Sequence, residues 1–202
     1  MGTLGPLFQP PPNRYLDLQL VADKISVGSA TAFRDDDLVV HVRSGDVFVG
    51  NGAHPGYGQP PLAYYRRIIS SREWNKIHLV FEDCGNPVIS PLVQFVESLG
   101  IPLIRHSGSL ESDLSVLLSA RTLVAGIGTF MSGVVSISKN VKTIYGFERY
   151  ANWGNVDLNV IMVSDSKRDY VGSILTNNWR NTPEQRELML TYPDENLAFK
   201  GH

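Results

Sequence analysis

Four short clusters of the chain carry side chains able to do chemistry. The first is His41-Val42-Arg43-Ser44-Gly45-Asp46. Side chains alternate across a strand, so His41 and Arg43 share a face. The Arg43 guanidinium is a planar fork that matches two oxygens of a phosphate. Gly45 allows close backbone approach to a ligand, and Asp46 can either fix Arg43 or act as a base. The plain alternative is a strand-end arginine paired with Asp46.

The second cluster, Gly126-Ile127-Gly128-Thr129-Phe130-Met131, is a glycine-rich turn into a helix, where free N–H groups and the helix dipole favour an anion. It is not GxGxxG, because Met131 stands three beyond Gly128, and no Lys-Ser/Thr follows, so classical NAD and P-loop ATP readings are disfavoured. The third cluster is Ser112-Asp113-Leu114. Asp113 is either a first-turn carboxylate facing the helix dipole or an acceptor of two hydrogen bonds from N1 and N2 of guanine, a donor pair that adenine lacks. The fourth is the acidic pair Glu82-Asp83.

These clusters follow apolar runs that read as strands. Leu38 to Val42 comes after the charged turn Arg34 to Asp37, and Ile77 to Phe81, Pro102 to Arg105, Leu123 to Ala125, Val141 to Tyr145 and Val160 to Val163 continue the series. Helices are predicted between them: Tyr15 to Lys24, a helix opened by Pro60-Pro61 through Ile69, Asn86 to Leu99 (cleanest after Ser90-Pro91, with Gly100 as stop), one capped by Ser109, and Phe130 to Ser138. A last helix opens at Thr182-Pro183, with Gln185 completing a capping box. Gly45 to Pro61 is a Gly/Pro loop. Such alternation predicts an α/β fold with a doubly wound, mostly parallel, Rossmann-like sheet, without internal repeat or second core. Ligands of such sheets bind at the carboxyl ends of the strands, which is where His41 to Asp46, Glu82-Asp83, His106 to Ser109 and Gly126 to Met131 fall, while Asp113 lies near the start of its helix.

The chain has 202 residues, 43% hydrophobic and 19% charged, and 18 basic against 20 acidic residues leave a net charge of −2. That composition excludes disorder for most of the chain and gives no general basic field for nucleic acid or anionic lipid. The single cysteine, Cys84, excludes a disulfide framework and a cysteine-based zinc cluster; it reads as a small strand-end residue. His41, His54 and Asp46 lack compact metal-binding spacing. Tyr57, Tyr64 and Tyr65 can stack on a sugar or base, with at least one of Tyr64 and Tyr65 in the core. Trp153, Trp179 and His78 read as packing residues. The start, Met1 to Pro6, shows no signal peptide, and the longest uncharged run, Thr122 to Ser138, is shorter than the ~20 residues of a membrane span.

With Gly56-Tyr57-Gly58-Gln59-Pro60-Pro61-Leu62-Ala63-Tyr64-Tyr65 after it, the first cluster resembles the first motif of the fucosyltransferases that share an HxRR(G/T)D signature, the α1,2-, α1,6- and protein-O-fucosyltransferase groups. Asp113-Leu114-x-x-Leu117-Leu118-Ser119-Ala120, followed by Gly128-Thr129-Phe130-Met131-Ser132, resembles their later motif. Order and approximate spacing agree from Leu38 to about Tyr145. The resemblance implies the nucleotide-binding half of a GT-B glycosyltransferase that transfers fucose from GDP-fucose, with inversion, to a glycan or protein hydroxyl. It implies no metal and no cofactor beyond the donor.

By that resemblance Arg43 grips the β-phosphate, and His41, with Ser44 and Gly45, lines the donor pocket. Asp113 reads guanine, the amides around Gly128, Thr129, Phe130, Met131 and Ser132 hold the diphosphate, and Glu82 and Asp83 occupy the place of the family's acidic residues. Ser44 departs from the pattern by replacing the second arginine. The glutamate that serves as base in the α1,6 group has no counterpart between Val47 and Gln59, so Asp46 and His54 stand as alternative bases. The competing functions are a non-catalytic nucleotide-sugar or glycan-binding module and a transferase of another GDP-sugar.

The expected division is a proline-rich segment and helix over 1–37 and a nucleotide-sugar-binding domain over 38–202. Only about forty residues precede the first motif, too few for the amino-terminal half of such an enzyme, so the chain is expected to be a fragment of a longer enzyme that has a further domain, a half that depends on a partner chain, or a reduced relative. The expected location is the Golgi or secretory pathway for a fragment of a eukaryotic enzyme, and the cytoplasm otherwise.

Overall fold

The computed structural model describes residues 32–50, 54–148 and 158–200; the helix expected over Tyr15 to Lys24 and Trp153 lie outside them. The described strands are β1 (Asp37–Val42), β2 (Lys76–Phe81), β3 (Leu103–His106), β4 (Thr122–Val124), β5 (Thr143–Phe147), β6 (Asn159–Asp165) and β7 (Leu197–Lys200). Between them run α1 (Leu62–Ile69), α2 (Ile89–Ser98), α3 (Leu110–Ser119), α4 (Thr129–Ile137) and α5 (Pro183–Thr191). Together the strands make one sheet in the order β3-β2-β1-β4-β5-β6-β7. The first six are parallel, and β7 runs antiparallel to β6, with Val163 opposite Phe199. This is the α/β, doubly wound, mostly parallel Rossmann-like sheet that the alternation predicts.

Leu38, Val39 and Val40 are all buried, as expected of a strand covered on both faces. Odd and even residues of β1 part company. Leu38, Val40 and Val42 enter a large core with α1, α2 and α5, whereas Val39 joins a smaller one with Leu117 of α3 and Met131, Val134 and Val135 of α4. Local signals fix several helix starts. The Ser109 hydroxyl accepts from the Ser112 amide at 3.2 Å. Thr182 and Gln185 form the expected capping box, with the Gln185 amide donating to Thr182 Oγ1 at 3.3 Å.

Most strand ends shift by one or two residues from the sequence expectation, and two helices and one strand differ in instructive ways. Helix α2 starts at Ile89, ahead of Ser90-Pro91, because Pro91 at a first-turn position leaves no helical N–H unsatisfied. Helix α4 starts at Thr129 and ends one residue before Ser138, which caps it. Strand β7 was not expected. Only Leu197 of its four residues is buried, so it carries almost no periodic signal. No helix among the described residues is long and apolar enough to cross a membrane.

Candidate functional site

The chain leaves β1 for β2 and β3 on one side, then returns to β4 on the other, so strand order reverses between β1 and β4. A cleft of about 500 Å³ opens at that point, on the face covered by α3 and α4; its lining includes His41, Arg43, Glu82, Asp113, Gly128 and Phe130.

Arg43 sits at the centre of this arrangement. Its Nη2 lies 3.4 Å from Asp46 Oδ1, while the Asp46 side chain is 75% exposed. A long, exposed pair of this kind contributes little and leaves the guanidinium free to meet an anion. The Arg43 Cζ lies 4.8 Å from the centre of the Tyr57 ring. On its other flank is Gly128, the N-cap of α4, with φ 150°; a β-carbon there would come within 2.6 Å of Arg43 Nη1. That backbone angle favours glycine, and a side chain there would displace the guanidinium. No side chain caps α4, so its first amides and the Arg43 guanidinium converge on one place, a positive locus in the cleft.

Ser44 lines the cleft, but its hydroxyl is committed to protein partners. Its hydroxyl donates to Asp83 and accepts from the Asn86 amide at 2.9 Å, and the Asn86 side chain donates to the Arg43 carbonyl at 2.9 Å. Asp83 also accepts from the Gly85 amide at 2.8 Å and the Gly45 amide at 3.3 Å. The Ser44 hydroxyl, then the Gly85 and Gly45 amides, hold its carboxyl below the usual range. Gly45 has φ 67° and its α-carbon lies against the Glu82 carboxylate; the close approach that Gly45 permits is therefore to Glu82, which itself lines the cleft.

His41 shares the cleft with Arg43, as strand alternation requires. Its Nδ1 is buried and has no hydrogen-bond partner, and its ring packs 5.6 Å from that of Phe130. Burial, with the Arg43 guanidinium beside it, pushes His41 down to about 4. Across the cleft, Asp113 Oδ1 accepts from the Gly108 amide at 3.3 Å, so Asp113 is both a first-turn carboxylate and a cleft residue. Behind it His78 Nδ1 and His106 Nε2 are 3.0 Å apart, and Phe33 stacks on His78 at 4.2 Å. Burial and the neighbouring His106 lower His78 to about 4, and burial lowers His106.

Of the remaining candidates, most fall outside the cleft lining. His54 is exposed; its Nδ1 accepts from the Gly56 amide at 3.1 Å and its ring touches Tyr57 at 4.8 Å. Thr129 and Ser132 belong to α4 but do not line the cleft, whereas Phe130 and Met131 do. Tyr64, Tyr65 and Trp179 are core residues and Cys84 is exposed. Among the described residues no group of three or more His, Cys, Asp or Glu is placed to hold a metal.

Sequence reasoning passed over Gln59 and Asn86, both buried and both bonded to backbone at the cleft. A polar residue amid Gly and Pro next to a motif was the available signal, but it names no partner.

No family model matches the sequence, and no curated protein matches it. Among solved structures, the E. coli ADP-heptose lps heptosyltransferase II is similar at 10% identity and a TM-score of 0.37, over 78% of this chain and 45% of that one. The chain thus spans less than half of that protein's length. The fold assignment rests on the strand order and register of the sheet.

Proposed function

We propose that the chain is the nucleotide-sugar-binding half of a GT-B glycosyltransferase, with GDP-fucose as donor and a glycan or protein hydroxyl as acceptor. The observation that carries this reading is the convergence of Arg43 and the uncapped start of α4 on one side of a cleft whose other side presents Asp113. The motif resemblance supports the choice of guanine and fucose. In this reading the acceptor oxygen attacks the anomeric carbon as the bond to the β-phosphate oxygen breaks. Arg43 and the α4 amides offset the charge that develops on departing GDP. Asp113 accepts from N1–H and N2–H of guanine. Asp46 is the better-placed base, because it lines the cleft and His54 does not. An oxocarbenium-like path would make less demand on either.

A non-catalytic nucleotide-sugar-binding module is the second reading. Ser44 is tied into the Asp83 and Asn86 network, and Arg43 is the only cationic side chain among the described residues lining the cleft.

Titration calorimetry with GDP, ADP and UDP tests the nucleotide assignment. We expect GDP to bind about tenfold tighter than the other two, and Arg43→Ala to weaken GDP by about 100-fold, the scale of a lost charge-assisted bidentate contact. Equal or absent binding of all three nucleotides would sink the assignment. Release of GDP from GDP-fucose, measured with glycan acceptors, then separates the two readings: turnover rejects the binding-only module.

A further inference from the structure

Arg43 is flanked by two segments distant in sequence, Pro55 to Gln59, whose Tyr57 ring meets the guanidinium, and the cleft-lining turn Gly126 to Gly128, and one side chain joins them. Gln59 is fully buried. Its Nε2 donates to the Tyr57 carbonyl at 3.0 Å and to the Ile127 carbonyl at 3.0 Å, while its Oε1 accepts from the Ile127 amide at 3.1 Å. Both donors and the acceptor of the side-chain amide are thereby used. Gripping Ile127 through both its N–H and its C=O fixes the backbone immediately before Gly128, the N-cap of α4. The other end of the grip holds Tyr57, whose ring lies 4.8 Å from the Arg43 guanidinium. Behind the clamp, the Tyr170 hydroxyl donates to the Gln59 carbonyl at 2.6 Å.

A glutamine that served only general stability could spend these bonds on any nearby backbone. Here all of them go to the two segments that flank Arg43. The lever is geometric: a helix N-terminus and a guanidinium recognise the same phosphate oxygens only when their spacing is held to a fraction of an ångström.

We propose that Gln59 is a positioning residue for the anion-binding end of the cleft, holding the first turn of α4 and the Tyr57–Arg43 pair in register for the phosphate groups of a bound ligand. The inference rests on the nucleotide reading of the site for the identity of that ligand, and on the clamp geometry for the role of Gln59. Gln59 touches no reacting atom in this scheme; it acts through Ile127 and Tyr57.

The test compares wild type, Gln59→Leu and Tyr170→Phe in titrations with GDP and with guanosine, which carries no phosphate. Gln59→Leu is expected to weaken GDP tenfold or more while changing guanosine less than threefold. Tyr170→Phe, which removes only the supporting hydroxyl, is expected to show the same split at two- to fourfold and keeps the test open should Gln59→Leu fail to fold. Equal weakening of both ligands would reduce Gln59 to a structural residue, and an unchanged GDP affinity would overturn the proposal outright. If wild type binds no GDP, it is the nucleotide reading that fails, and the clamp is judged by amide hydrogen exchange. Faster exchange over 126–131 in the variants, with β2 and α1 unchanged, upholds it; uniform acceleration or none rejects it.

Discussion

The two faces of the sheet bury different kinds of side chain. Under α1, α2 and α5 the core is aromatic and continuous, with Phe48, Tyr64, Tyr65, Trp74, Phe81, Phe147, Tyr170, Trp179 and Tyr192 in one cluster. Under α3 and α4 the buried residues are Val39, Val80, Leu117, Leu123, Met131, Val134, Val135 and other small or aliphatic side chains, and among the described residues no aromatic one is fully buried there. The cleft opens on the second face. Slimmer side chains leave room between the starts of α3 and α4, and it is there that Leu110 and Phe130 remain exposed.

The aromatic face also supplies polar anchors to the strand ends that carry the site. The Tyr64 hydroxyl donates to the Ala125 carbonyl at 3.2 Å and to that of Tyr145 at 2.9 Å, and the Trp179 indole donates to the Val47 carbonyl at 3.0 Å. One face therefore holds the frame, and the other holds the space.

The largest effect that would sharpen this contrast is on stability. Trp179 is fully buried and meets Phe48 edge-on at 5.4 Å. Trp179→Ala is expected to cost about 3–5 kcal/mol in denaturant unfolding. A loss below about 1 kcal/mol would mean that the aromatic face does not carry the frame.

A second effect belongs to the cleft face. His41 is held near 4, below its ordinary 6.5, so between those values the unfolded chain binds the proton and the folded one resists it. Stability therefore falls as pH drops from about 6.5 to about 4. This one group contributes a slope of at most about 1.4 kcal/mol per pH unit. His41→Asn should flatten the curve in that window, leaving the part due to His78 and His106. Parallel wild-type and variant curves from pH 7 to 4 would show that the cleft does not shield His41.

The smallest effect concerns charge. Glu82 lines the cleft beside Gly45, on the same cleft as Arg43, and a carboxylate there opposes an anionic ligand. Glu82→Gln is expected to tighten GDP by two- to fivefold, and more at low salt than at high salt. Weaker binding would instead assign Glu82 a contact with the ligand.

Much of this was legible in residue order. Alternating apolar runs predicted the parallel sheet, and the reversal rule for such sheets ranked His41 to Asp46, Glu82-Asp83, His106 to Ser109 and Gly126 to Met131 as residues that follow strands. The spacing of His41 and Arg43 correctly placed them on one face, because alternation along a strand is local geometry. Ser44 shows where such reading stops. From the sequence it is a missing charge beside the donor, whereas the fold makes it a link between Asp83 and Asn86, 39 and 42 residues away. His54 and Asp46 read as equal candidates for a base from the sequence, whereas in the fold Asp46 lines the cleft and His54 does not.

By itself the sequence determined what rests on neighbours a few positions apart: the strands and helices, the Ser109 cap, the Thr182–Gln185 capping box, and the chemical types at each strand end. Only the tertiary structure decided which of these residues meet. The Gln59 clamp spans 68 positions, and the bond from Trp179 to Val47 spans 132. β7 exists as a strand only because β6 offers it an edge. Helix and strand propensities sum over short windows. A buried amide takes whichever partner the strand order brings within about 3 Å, and no short window of residues records that partner.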